Sequence, residues 1–437
     1  MDEAEFRVTL QLGLGRAILY AKLHDLREFR DVILDACLHC YSYDIQTEGT
    51  RASYMYDLVG CLPDKGFYYR EVLKSLAASG DDGDAAQRFH FAACLAFEGN
   101  EEARRAMYDS YVPGPRMGDL IGIDFFKMDG IQGLLFVAEK FGALLMVKPE
   151  EVDTGYLLSQ SLEICGEQST WDALRDAGAT NSSIEKFRLV AAEASRGGTG
   201  KPSQAPEITS LRYEQLWNEF PTNKPYLLWK WGERASDEEL ELAAKGLIAA
   251  ENSKQQLAHL RIFARRRFPL DVNALLALVD IEEDRLGGAA VKALTHVPHP
   301  AVRDLAFRLM DTQAMWRGHA IDLVAQNYQD GDHRIVLRWF QEEEDRETLH
   351  SLSMDLIDFW KRHPDEETEV PMLRSLYEKG PCSFCREAAV RRLLERGELA
   401  DQLRAECAWD SNSDIRNLVG ENLPIVPKPA LPSDRDF

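Results

Sequence analysis

Short amphipathic segments, each closed by a turn, recur along this chain and restrict its fold more than any other feature. From residue 299 to 310, Val302, Leu305, Ala306, Leu309 and Met310 fall at i, i+3, i+4, i+7 and i+8. That spacing puts them on one stripe of a helix, with Arg303, Asp304 and Arg308 largely off it. Pro300 stands in the first turn, where a missing N–H is harmless. Residues 286–297 repeat the device with Ala290, Ala293, Leu294 and Val297 apolar, so two helices flank Pro298-His299-Pro300 as a hairpin.

The same pattern predicts helices over 84–97, 131–145, 182–194, 237–250, 254–268, 346–362, 384–395 and 413–422. Turn markers separate them, among them Gly80-Asp-Asp-Gly83, Pro113-Gly-Pro115 and Asp330-Gly331. Alternating β-branched runs joined by Asn-Gly or Asp-Gly are scarce, which argues against a sizeable sheet. The chain reads as all-α. Helices this short are marginal alone and must bury their stripes on neighbours, either in a bundle or in a stacked array.

Three segments point to the array. Val302-Arg303, Cys385-Arg386 and Ile415-Arg416 each place an apolar-Arg pair near a helix start, and two of these follow the turns 298–300 and 410–413. Units of thirty to forty-odd residues suit helical-hairpin repeats. Here the chain resembles the HEAT-repeat, armadillo-type family of α-solenoids, most closely in His299-Pro-Ala-Val-Arg303 followed by Leu305-Ala306, and most clearly over residues 254–423. The resemblance implies a right-handed α-solenoid of stacked hairpins. It also implies a structural role for Arg303, Arg386 and Arg416, satisfying carboxylates and carbonyls of neighbouring units.

The expected organisation is a helical domain of divergent hairpins over 1–195, a flexible linker or long loop over 196–208, HEAT-like repeats over 209–423 and a proline-rich extended tail over 424–437. Glycine, serine and proline mark the linker, and four prolines keep the tail from continuing a helix.

Charge narrows the partners. The chain carries 73 acidic against 51 basic residues, a formal net charge of −22 shared by both halves. Binding a polyphosphate requires cations that displace condensed counterions, so nucleic acid is disfavoured and a protein partner with a basic face is favoured. No long uncharged apolar run suggests a membrane span, and the acidic start Met1-Asp2-Glu3-Ala4-Glu5 lacks the features of a secretory signal. A cytoplasmic location is expected. The eight cysteines are too sparse for a disulfide scaffold.

Most chemical motifs fail on inspection. Gly197-Gly-Thr-Gly-Lys201 has Ser195 where a phosphate loop needs its first glycine, and Pro202 where it needs a hydroxyl. Gly13-Leu-Gly15 lacks the third glycine of a dinucleotide fingerprint. Cys37-Leu-His-Cys40 and Cys382-Ser-Phe-Cys385 have zinc-ligand spacing within each pair, but a solenoid would hold the pairs near opposite ends, and each lies in an apolar stripe. They read as buried thiols. No His-Glu-x-x-His or Gly-x-Ser-x-Gly occurs. Asp124-Phe-Phe-Lys-Met-Asp129-Gly130 reads either as the floor of a pocket or as a capped helix start at Asp129. No catalytic residue, metal or cofactor is assigned.

One local anomaly survives. Trp229, Trp231, Arg261, Arg265, Arg266 and Arg267 gather tryptophan and arginine in an acidic chain, and both types are enriched at binding hot spots. They form the candidate ligand-binding group. The competing reading packs the indoles in the core and leaves the arginines to water and nearby acids. The leading expectation is a non-enzymatic protein–protein interaction scaffold that binds its partner on a concave solenoid surface. The alternative is a DNA-binding HEAT-like enzyme of the alkylpurine DNA glycosylase type, in which the same residues would stack on bases and pair with phosphates.

Overall fold

The computed structural model describes residues 1–78, 81–113, 118–149, 154–197, 208–219, 227–279, 284–311 and 315–420. Most of the expected linker and all of the expected tail lie outside them. Among the described residues there are 27 α-helices and no β-strand, so the chain is all-α.

Helix boundaries follow local chemistry. The helix Arg346–Arg362 occupies its expected span, opened by Asp345, whose carboxylate accepts the Thr348 N–H at 2.9 Å. In Pro300–Met310 the stripe Val302, Leu305, Ala306, Leu309 and Met310 is buried, and the His299 Nδ1 accepts the Ala301 N–H at 3.2 Å.

Two expectations are corrected. The helix expected over 254–268 stops at Ile262 and passes into a 3-10 turn, Phe263–Arg265. A continued helix would carry Phe268 about 140° around the axis from Phe263, whereas the two rings pack edge-to-face with centroids 5.0 Å apart. Asp129 caps no helix start. It ends Gly118–Asp129, and Gly130, at φ 53°, makes the turn into Ile131–Val147. The Asp129 carboxylate is already engaged by Arg104 at 2.8 Å and by the Tyr108 hydroxyl at 2.6 Å.

The chain divides into two units, one formed by Met1–Lys201 with Pro381–Phe437 and the other by Pro202–Gly380. The stretch expected as one repeat segment, 209–423, is thus divided between them.

In the first unit, Phe125, Phe126, Leu134, Phe141, Leu157 and Phe187 are core residues. Close helix approach depends on absent side chains. A Cβ at Gly142 would lie 1.8 Å from the Ser183 carbonyl oxygen, and one at Gly133 would lie 1.9 Å from that of Phe125. The last described helices return to the first ones. The Ser411 N–H donates to the Gly13 carbonyl at 2.8 Å, Arg16 pairs with Glu406 at 2.8 Å, and the Lys22 ammonium sits 3.2 Å from the Trp409 ring centroid.

The second unit is built serially. Its main helix–helix contacts join neighbours or next neighbours along the chain, such as Asp237–Ile248 on Ser253–Ile262, Ser253–Ile262 on Asp284–Leu294, and Ala320–Gln326 on Arg346–Arg362. Each short helix therefore finds its cover close in sequence.

Arg303, Arg386 and Arg416 are each the fourth residue of a helix. Arg303 holds Asp332 through two bonds of 2.7 Å, Arg386 pairs with Asp410 at 3.2 Å, and Arg416 donates to the carbonyls of Asp410 and Ser411 at 2.7 and 3.0 Å. Arg303 and Arg386 reach a later turn, and Arg416 closes the turn ahead of its own helix.

Candidate functional site

The tryptophan and arginine group is divided by the fold. Trp231 is 1% exposed, and its Nε1 donates to the Leu211 carbonyl at 2.8 Å. It is a core residue whose one polar atom is satisfied, with Gly232 beside it packed on the Ile262 carbonyl. Trp229, on the same helix Leu228–Arg234, is half-buried and carries the Arg265 guanidinium 4.0 Å from its ring centroid. Arg265 also pairs with Glu233 at 2.8 Å. Arg261 is half-buried, and burial together with the Arg285 charge holds its guanidinium below the usual range.

Arg266 and Arg267 behave differently. The 3-10 turn ahead of them is fixed by the His296 ring, which donates to the Ala264 carbonyl at 3.0 Å. Arg266 then donates to the carbonyls of Glu233 and Ala235 at 3.0 and 3.3 Å and pairs with Asp237 at 3.1 Å. These bonds satisfy the end of one helix and fix the start of the next. Arg267 is exposed.

Both arginines line a groove of about 750 Å³ in the Pro202–Gly380 unit. The lining is largely acidic because of how the helix Asp237–Ile248 begins. Ser236 and Glu239 form a capping box at the start of Asp237–Ile248, and the first turn carries Asp237, Glu238 and Glu239, where carboxylates favour the helix dipole. Asp237, Glu238 and Glu241 face the groove, Asp271 adds a fourth carboxylate, and Pro298 and His299 bring the hairpin turn to its edge. Of the six residues in the expected group, Arg266 and Arg267 line the groove and Trp229, Trp231, Arg261 and Arg265 do not. Sequence reasoning missed the acidic wall, since Asp237–Glu241 reads as an ordinary solvated helix start.

Two further sets of groups carry shifted ionisation. His319, Asp322 and Asp355 bring their ligand atoms within 4.8 Å of one another. Burial, then the Asp322 charge, pushes the Asp355 carboxyl up to about 7, while burial and Lys292 hold His319 low. The donors suit a divalent ion, but Lys292 already pairs with Asp322 at 3.2 Å. Only the fold unites them, because Asp355 comes from Arg346–Arg362 and Asp322 from Ala320–Gln326.

The cysteine pairs lie in one unit, not near opposite ends of a solenoid. All eight cysteines are free thiols. Cys37 is buried and raised by desolvation. Cys382 differs. The Cys385 side chain, followed by backbone N–H groups of the helix start, outweighs burial and draws its thiol down to about 6.

Comparison with family models, curated proteins and solved structures finds no match to this chain.

Proposed function

We propose that this chain is a non-enzymatic protein-interaction scaffold of HEAT-like stacked hairpins, whose docking surface is the acidic-walled groove of the Pro202–Gly380 unit. The observation that carries the reading is the groove's charge balance. Four carboxylates, of Asp237, Glu238, Glu241 and Asp271, meet two arginines. Arg266 and Asp237 pair with each other and Glu241 pairs with Lys245 at 2.7 Å, which leaves Glu238 and Asp271 beside Arg267. The excess acid favours a partner segment bearing lysine or arginine, steered by the net charge of −22. The serial packing of this unit supports the repeat reading, and Arg267 supplies a point of orientation for an acidic residue within the basic segment.

The test is affinity capture from a native lysate with the wild-type chain and with the double variant Glu238→Lys/Glu241→Lys. A stoichiometric partner retained by the wild type, weakened by added salt and lost in the variant, supports the scaffold. Retention of no partner, or equal retention by both chains, overturns it. The nucleic-acid reading draws less support, because Trp231 is interred and Arg265 and Arg266 are paired with acids. Retardation of duplex DNA at low salt would restore it.

A further inference from the structure

The Met1–Lys201 and Pro381–Phe437 unit contains a second concavity that the scaffold reading does not use. It is a cleft of about 290 Å³, walled on one side by residues 47–54 and on the other by the starts of the helices Ser383–Glu395 and Ser413–Gly420. That size is at the lower end of ligand pockets, suited to a small molecule rather than a protein segment.

Its walls carry charge. The Glu48 side chain is 2% exposed and that of Arg51 is 5% exposed, and both residues line the cleft. Their mutual contact is long, 3.4 Å from Arg51 Nη2 to a Glu48 oxygen. The other Glu48 oxygen, Oε1, and Arg51 Nε are buried with no hydrogen-bond partner. A buried ionised group left short of partners costs more than a neutral one, so such a pair inside a cavity calls for an occupant.

The surrounding groups state what the occupant must be. Arg416 also lines the cleft, and its bonds run to backbone carbonyls, of Asp410 and Ser411. Arg51 Nη1 donates to the Ser411 hydroxyl, and the nearby Arg386 charge adds to burial in lowering the Arg51 guanidinium. The start of the helix Ser413–Gly420 adds its partial positive charge, whereas that of Ser383–Glu395 is already engaged by the Cys382 thiol. Asp414 is the one carboxylate lining this end, against Arg51 and Arg416, so this end of the cleft favours an anion. Glu48 Oε1 requires the opposite, a hydrogen-bond donor. On the same wall Thr50 is held by the His90 ring at 2.9 Å, which in turn stands 3.6 Å from the buried Asp124 carboxylate, so the hydroxyl is positioned rather than free to rotate.

We propose that this cleft binds a small organic anion, a phosphate or carboxylate, that also carries a hydroxyl or amine. The anionic end meets Arg51 and the start of Ser413–Gly420, and the hydroxyl or amine donates to Glu48 Oε1. Nothing in this site depends on the groove of the other unit.

The test uses the full chain with Phe384, which lines the cleft and is 44% exposed, replaced as a reporter by Phe384→Trp. Fluorescence and thermal-shift titrations at constant ionic strength compare glycerol 3-phosphate with inorganic phosphate, and malate with succinate. A saturable response to glycerol 3-phosphate or malate, at least tenfold tighter than to its partner lacking the hydroxyl, supports the site. Preference for glycerol 3-phosphate assigns the phosphate class and preference for malate the carboxylate class. In Glu48→Gln the hydroxyl preference should fall at least tenfold. No saturable response to any of the four compounds overturns the proposal, as does equal binding of malate and succinate together with equal binding of the two phosphates. Should Glu48→Gln fail to fold, the preference measured in the Phe384→Trp chain decides alone.

Discussion

Arg386 in the first unit and Arg303 in the second occupy the same place, the fourth position of a helix, and each reaches an aspartate in a later turn. Their surroundings differ. Arg386 and Asp410 are both 0% exposed at their side chains, whereas Arg303 keeps 17% exposure above a buried Asp332. The first unit closes residues 1–201 with a segment from the far end of the chain, and so takes its ion pair fully out of water. The second stacks neighbour on neighbour and leaves the arginine at a boundary. One sequence device thus serves as a sealed closure in one region and as a half-wet clasp in the other, because burial sets how much a missing partner costs.

The comparison can be broken most directly at the aspartates. Asp410→Ala leaves a buried guanidinium without its carboxylate and should cost about 3–5 kcal/mol. Asp332→Ala removes charge-assisted hydrogen bonds from a partly solvated arginine and should cost about 1.5–3 kcal/mol. Urea denaturation followed by circular dichroism measures both, and a larger loss for Asp332→Ala would invert the argument. Closure itself is tested next. A Cβ at Gly15 would lie 2.0 Å from the Glu406 carbonyl oxygen, so Gly15→Ala should cost about 1–3 kcal/mol through overpacking. Hydrogen exchange should rise in the helices Asp401–Cys407 and Ser413–Gly420 and stay unchanged over 237–379; uniform protection in the variant would refute the closure.

A pH-dependent prediction sharpens the second unit. Asp355 is raised to about 7 from an ordinary 3.8, by burial first and the Asp322 charge second, with Asp358 adding to the rise and Lys292 and Arg362 opposing it. Between those two values the native state holds a proton that the unfolded chain has released. This carboxyl therefore subtracts stability as the pH rises from about 4 to about 7. Asp355→Asn should melt above the wild type at pH 8, with the gap closing by pH 4, and a gap independent of pH would remove the assignment. The smallest effect is expected at Arg265→Ala, about 0.5–1 kcal/mol, because the Trp229 contact and the Glu233 pair are both solvent-screened. Partner capture should persist in that variant, since Arg265 lies outside the groove, and loss of capture would move the docking surface.

Much of the helical layout was legible beforehand. The stripe at 302–310, the helix over 346–362 and the helix start at Asp237 follow from spacing within a dozen positions, where local energetics dominate. The Phe263–Phe268 contact was not legible, because a side-chain pairing overrode helical periodicity. The tryptophans were ambiguous for the same reason: two indoles two residues apart face different surroundings, one interred and one beneath an arginine. The cleft was invisible, since Glu48 and Arg51 meet Ser411 and Arg416 only after more than 350 residues of intervening chain have folded.

The amino-acid order by itself determined the helical class and the places of the turns, since each depends on interactions spanning a few residues. Tertiary structure alone decided which tryptophan is core, which carboxylates share a wall, and that the last described helices complete the unit begun by the first. Burial and charge neighbourhood are properties of the assembled fold: a carboxylate raised by desolvation and one bathed in water are written with the same letter.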